Sequence, residues 1–207
     1  NIVQCLHDFG IPLYLSHVVS RIEGRNRVEG VEITPAKYGR QAPDKAFRLE
    51  CDTILLSVGL IPENELARKV GVEIYPDTGG AYVDANLMAN QEGIFACGNV
   101  LHVHDLVDFV SEEAVRCGQH VVDYVRSGGE DRVSQGLVRV GANVRYVVPH
   151  RYACTRPNEF FLRSLVVRDR VELVVRRGNQ ILKKQRLYHV RPSEMIRITL
   201  DREMVSP

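Results

Sequence analysis

Residues 93–100 read GIFACGNV. Small and apolar side chains run up to a glycine and then to one polar residue, Asn99. The pattern predicts a short buried strand that stops at Gly98, where a missing Cβ lets a ligand approach the backbone. Asn99 can donate and accept hydrogen bonds at that tip. Residues 111–126 predict a helix, with Ala114, Gly118, Val121 and Val125 on one stripe and Val115 and Val122 beside it. Ser111, followed by Glu112 and Glu113, suits the start of that helix. Strand, glycine, polar tip and helix N-terminus together would cradle a polyol or a ring carbonyl. A plain strand-end turn fits the same eight residues.

Upstream, CDTILLSVGLIP occupies residues 51–62, and its stretch from Ile54 to Val58 predicts a strand buried on both faces. ENELARKVG predicts a short helix ending at Gly71, and DTGG a turn. Residues 2–9 suit a helix capped by Gly10. IPLYLSHVVSRIEG, RVEGVEIT and FRLE read as extended, and KYGRQAPDK as a loop. Downstream of the linker RSGGEDRVSQG the pattern changes. NVRYVVP, FFLRSLVVR, RVELVVRRGNQILKKQRLYHV and EMIRITL are rich in Val, Ile, Leu and Tyr, with RRGNQ as a hairpin turn. No helical period shows there, and a small all-β, sandwich-like domain is expected.

The 207 residues are 44% hydrophobic and 26% charged, enough for a packed core and too apolar for disorder. No apolar run approaches the roughly 20 residues that span a bilayer, and no signal peptide shows. The opening NIVQCLHDFGIP starts at Asn1 and reads like the middle of a helix, so a piece of a longer protein is expected. The five cysteines are scattered without a CxxC pair, which points to a reducing cytoplasm and against a disulfide frame or a zinc ribbon. Residues 131–207 carry 16 basic and 7 acidic side chains, and residues 1–130 carry 11 basic and 19 acidic. The basic side chains alternate along strands with few aromatics between them. That is a solvated face or a surface that docks onto the acidic first segment or an acidic partner subunit, not a nucleic-acid surface.

The order of CDTILLSVGLIPENELARKVGVEI, GGAYVDANLMANQEGIFACGNV and a long helix with Ala114 and Gly118 resembles the C-terminal part of the pyridine nucleotide-disulfide oxidoreductase superfamily. The resemblance covers roughly residues 1–126. It is nearest to the FAD-dependent, NAD-linked dehydrogenases that lack a redox disulfide, found beside glycerol-3-phosphate, sarcosine and hydroxyproline dehydrogenase subunits. It implies an α/β fragment of a two-dinucleotide-binding-domain, Rossmann-like flavoprotein, followed by the small all-β domain. The implied division is residues 1–45 for the end of the NAD-binding domain, 46–128 for the C-terminal half of the FAD-binding domain, 129–136 for a linker and 137–207 for the β domain. The implied cofactors are FAD and either NAD or NADP, in the intact protein.

Several site residues are implied by position. Asn99 sits where the family usually carries an aspartate bonded to the flavin ribityl chain, so a charge-assisted contact is lost. Gly98 lets the cofactor chain pass, with Val100 next to it. The amides near Val110 and Ser111 face the flavin pyrimidine edge. Gly59 belongs to the motif linking the two nucleotide domains. No GxGxxG occurs in the chain, so both phosphate-binding loops are expected upstream and the isolated chain is expected to bind FAD poorly. A partner subunit or a homo-oligomer is an expected partner, and a non-catalytic assembly or binding module is the alternative function.

LHVHDLVD, residues 101–108, places His102, His104, Asp105 and Asp108 close together. On a strand His102 and His104 would point the same way. With no second ligand cluster, the stretch reads as a polar loop or as a histidine against the flavin, and no metal is expected. Cys97 and Cys117 read as buried structural thiols. No catalytic residue is identified.

Overall fold

The computed structural model describes residues 2–37, 40–129 and 134–205. The chain divides into two units, residues 1–58 and residues 59–207. This division differs from the one expected from sequence, because the linker over 129–136 falls inside the second unit. Residues 130–133 of that linker, and 38–39 of the expected loop, lie outside the described residues.

The first unit opens with α1 (Ile2–Asp8). Gly10 N–H donates to the His7 carbonyl at 3.1 Å and Ile11 N–H to that of Leu6 at 2.8 Å, closing the helix as a glycine cap does. An antiparallel sheet follows. Its centre is β2 (Gly30–Lys37), which pairs with β1 (His17–Glu23), β3 (Arg40–Gln41) and β4 (Phe47–Glu50). Val31 lies opposite Leu49 and Ile33 opposite Phe47, and both β2 residues are buried. The strand expected over 54–58 is not formed, since residues 53–64 carry no strand and Leu55 is 92% exposed. A strand buried on both faces needs a hydrogen-bonded neighbour and a layer over each face. Among the described residues nothing supplies either.

In the second unit α2 (Glu65–Lys69) is followed by isolated bridges between Ile74 and Ala81, Val83 and Ala89, and Met88 and Phe95. GIFACGNV is therefore not a full strand. It makes one bridge at Phe95 and closes in a 3-10 turn over Gly98–Val100. Gly80 is required here, because a Cβ on it would lie 1.7 Å from the Leu101 carbonyl oxygen.

Helix α3 runs over Val107–Arg126, four residues earlier than expected, with Leu106 at its N-cap and no side-chain cap. Ser111 lies inside it and donates from Oγ to the Val107 carbonyl at 3.2 Å. The buried stripe is also rotated from the expected one. Glu113 and Cys117 face the core, flanked by half-buried Phe109, Arg116, His120, Val121 and Tyr124. Ala114, Val115, Gly118, Val122 and Val125 are exposed. Counting apolar side chains misplaced the stripe, because Glu113 and Arg116 are satisfied by polar partners inside the fold.

The tail is built of strands up to a final short helix, α4 (Arg202–Val205). β6 (Val144–Val148), β8 (Asn158–Ser164) and β11 (Met195–Leu200) form a sheet with β8 in the middle. β9 (Arg168–Arg177) and β10 (Gln180–Val190) pair across the Gly178–Asn179 turn, and β5 (Gln135–Leu137) pairs with β7 (Arg151–Ala153). Phe160, Leu162, Ile198 and Leu200 point to a core beneath the β9–β10 hairpin. Phe161 and Arg163, on the opposite face of β8, point to the residues around α3.

Candidate functional site

Gly98 adopts φ +69°, and its N–H donates to Glu113 Oε2 at 2.5 Å. A Cβ on Gly98 would sit 3.3 Å from Val110 Cγ1, so Val110 packs against the turn. Asn99 is exposed, and its Oδ1 accepts the His104 N–H at 3.1 Å. Among the described residues no acceptor takes the Asn99 amide protons. Val100 is held through its carbonyl, which accepts from Asn64 Nδ2 at 2.8 Å, while the same amide also donates to the Gly79 carbonyl at 2.9 Å.

Behind this turn lies a buried polar network. Glu113 is 1% exposed and takes His102 Nε2–H on Oε1 at 3.0 Å and His104 Nε2–H on Oε2 at 3.2 Å. Burial works against its ionisation, but hydrogen bonds from His102, His104 and Gly98 outweigh it and bring Glu113 down to about 2. Burial holds the His102 imidazole below its ordinary value. Phe161 closes over both rings, with centroids 5.5 Å from His102 and 5.1 Å from His104. The free thiols of Cys97 and Cys117 influence each other, Cys97 being lowered to about 7 and Cys117 raised.

The loop is clamped from the tail. Arg163 donates to Asp105 Oδ1 at 2.5 Å and to the Val103 carbonyl at 3.0 Å, and Met195 N–H donates to Asp105 Oδ2 at 2.6 Å. Arg197 pairs with Glu112 at 2.9 Å and with Glu159, and Arg116 also pairs with Glu159.

Of the site residues expected from sequence, the structure brings Gly98, Asn99, Val100 and Val110 together. The amides of residues 107–110 lack intrahelical acceptors by register, whereas that of Ser111 falls within reach of the Val107 carbonyl. Gly59 has φ +88° with nothing within 4 Å of its Cβ position, so it makes no close packing with the turn. His102 and His104 converge, but on Glu113 instead of Asp108, which is exposed, while Asp105 serves Arg163. Sequence reasoning missed Asn64, Glu113, Phe161 and Arg163. The four-residue spacing of Phe109, Glu113 and Cys117 was the available signal for Glu113.

His102, His104 and Glu113 form a ligand set that could hold a divalent cation. Three N–H donors already occupy the carboxylate, and neither histidine Nδ1 has a partner among the described residues. Metal-bound imidazoles are normally oriented by a hydrogen bond at the second nitrogen. The arrangement is that of a hydrogen-bonded network.

An exposed carboxamide beside a left-handed glycine, at the free amides of a 20-residue helix, offers donors to a polyol or a ring carbonyl. The chain belongs to the pyridine nucleotide-disulphide oxidoreductase family, whose sequence profile matches residues 2–120. It is 30% identical over 97 residues to the "NAD(P)H sulfur oxidoreductase (CoA-dependent)" of Pyrococcus abyssi. It is 26% identical, also over 97 residues, to the "NAD(P)H coenzyme A polysulfide/persulfide reductase" of Pyrococcus horikoshii. Each match spans 47% of this chain and 19% of the relative. Family and relatives support a redox function. Among the described residues no helix is long and apolar enough to cross a membrane.

Proposed function

We propose that residues 59–126 supply the closing part of an FAD site in an NAD(P)H-linked oxidoreductase, the chain being the C-terminal portion of that enzyme. The observation that carries this is Asn99: its carbonyl is spent on His104, while its amide donors, on an exposed residue beside Gly98, have no acceptor among the described residues. Asn99 Nδ2 would donate to a ribityl hydroxyl, and the amides of residues 107–110 would face the pyrimidine edge. A flavin held there would supply hydride and electron-pair transfer between a nicotinamide and an acceptor. The chain's own part is to bind, orient and exclude water.

Two exposed apolar surfaces support the reading. Leu60 and Ile61 stand in solvent, as do Val107, Val115 and Val125 on the outer face of α3. Folded proteins rarely leave such residues uncovered together. Further strands of a nucleotide-binding sheet would cover them. The same residues would serve a non-catalytic assembly module, and colour separates the two readings. The intact enzyme should be yellow, and Asn99→Ala in it should weaken flavin retention by about 1–3 kcal/mol. Unchanged flavin occupancy after dialysis refutes the role of Asn99.

A further inference from the structure

Glu113 is a residue that neither family membership nor the flavin reading calls for. A carboxylate offers about four acceptor sites. This one takes N–H groups from Gly98, His102 and His104, three residues of a single seven-residue stretch. Asn99 lies inside that stretch, and its own Oδ1 is tied to the backbone of His104. The direction of the Asn99 amide is thus set at both ends by groups that converge on Glu113. Arg116 makes a long ion pair with the carboxylate, 3.9 Å from Oε1, and is engaged more closely with Glu159. Phe161 seals the histidine rings on the side of the tail.

We propose that Glu113 is a positioning residue of the cofactor site, whose buried carboxylate locks the turn from Gly98 to His104 and sets a negative charge behind the bound cofactor. The proposal rests on the flavin-site reading. Removing the charge while keeping the shape has a defined consequence. Glutamine offers one oxygen and one NH2 group. With its oxygen at the place of Oε2 it keeps Gly98 and His104, while its NH2 faces His102 Nε2, which can accept only by moving the ring proton to the unpartnered Nδ1; three charge-assisted bonds become neutral ones and the turn loosens. Aspartate keeps the charge but is one methylene shorter. A nearby anion disfavours the electron-richer reduced flavin, so its loss raises the flavin midpoint potential.

The test uses the intact enzyme with Glu113→Gln, Glu113→Asp, His104→Gln and Asn99→Ala. Flavin affinity, flavin midpoint potential and melting temperature are measured for each. Glu113→Gln should weaken flavin binding roughly ten- to a hundred-fold and raise the potential of the flavin that remains. Glu113→Asp should lose affinity with a potential close to that of the parent, a split that general loosening of the fold would not give. If Glu113→Gln does not fold, His104→Gln, which leaves the carboxylate in place, should still weaken flavin binding roughly three- to ten-fold. Parental affinity and potential in Glu113→Gln, or parental affinity in His104→Gln where Glu113→Gln fails to fold, overturn the proposal if Asn99→Ala loses flavin. If Asn99→Ala also keeps its flavin, the site reading itself falls.

Discussion

Acid should destabilise this protein well above the pH at which its carboxylates titrate, and His150 is the residue through which the effect can be isolated. Its ring is buried, stacked on Tyr82 at 4.3 Å and 17° and lying 4.5 Å from Tyr75. Nδ1 lies 3.1 Å from the Val83 backbone nitrogen and 3.3 Å from the Val83 carbonyl oxygen, and Nε2 has no partner among the described residues. Burial pushes the imidazole from its ordinary value of 6.5 down to about 4, against the pull of its bond to Val83. The unfolded chain therefore takes up this proton first. The contribution of His150 is complete above pH 6.5 and is lost as the pH falls towards 4. At about 1.4 kcal/mol per pH unit, the gap is worth about 3 kcal/mol. His150→Asn keeps an acceptor near the place of Nδ1 and cannot titrate. Urea unfolding at intervals from pH 7 to pH 4 reads the result. The variant should be less stable at pH 7 through lost ring packing, yet its loss on acidification should be smaller than the parent's by about 3 kcal/mol. Equal losses in the two proteins would refute the reasoning. His120, also brought down to about 4 by burial and by Arg156, adds acid sensitivity of the same sign and smaller size, since solvent reaches it.

Two further substitutions test the packing around the site. Gly80→Ala drives a Cβ into the Leu101 carbonyl, where the neighbour is backbone and cannot swing aside; a loss of about 3 kcal/mol or more, read as a lower melting temperature, is expected. Phe161→Ala empties a fully buried position and should cost about 3–5 kcal/mol. The same change should speed flavin loss from the intact enzyme, because the ring closes over His102 and His104.

Much of the β tail was legible from sequence, because alternation and turn chemistry are local. The Gly178–Asn179 hairpin and the strands around FFLRS lie where period-two patterning and RRGNQ put them. The segment over 54–58 read as a strand for a sound reason, its unbroken apolarity, yet apolarity fixes no strand without a neighbour to pair with. For α3 the opposite failure occurred. The helix was plain, but its inward face was not, because that face carries Glu113 and Arg116. A charged residue enters a core only when distant partners satisfy it, and no local pattern shows that Gly98, His102 and His104 will meet there. The tail's charge was legible in part. Its arginines read as a solvated face or as docking onto the acidic first segment, and Arg163 and Arg197 do reach Asp105 and Glu112 of that segment, although no local pattern shows which acids they meet.

Strand β8 is a wall shared by two rooms. Phe160 and Leu162 furnish one, Phe161 and Arg163 the other. Sliding this strand by a single residue would exchange the contents of both at once, sending an arginine into grease and a leucine toward Asp105. An extra residue at the Gly178–Asn179 bend disturbs no such wall. Length variation among close kin should therefore gather at that bend and spare the chain leading into Asn158.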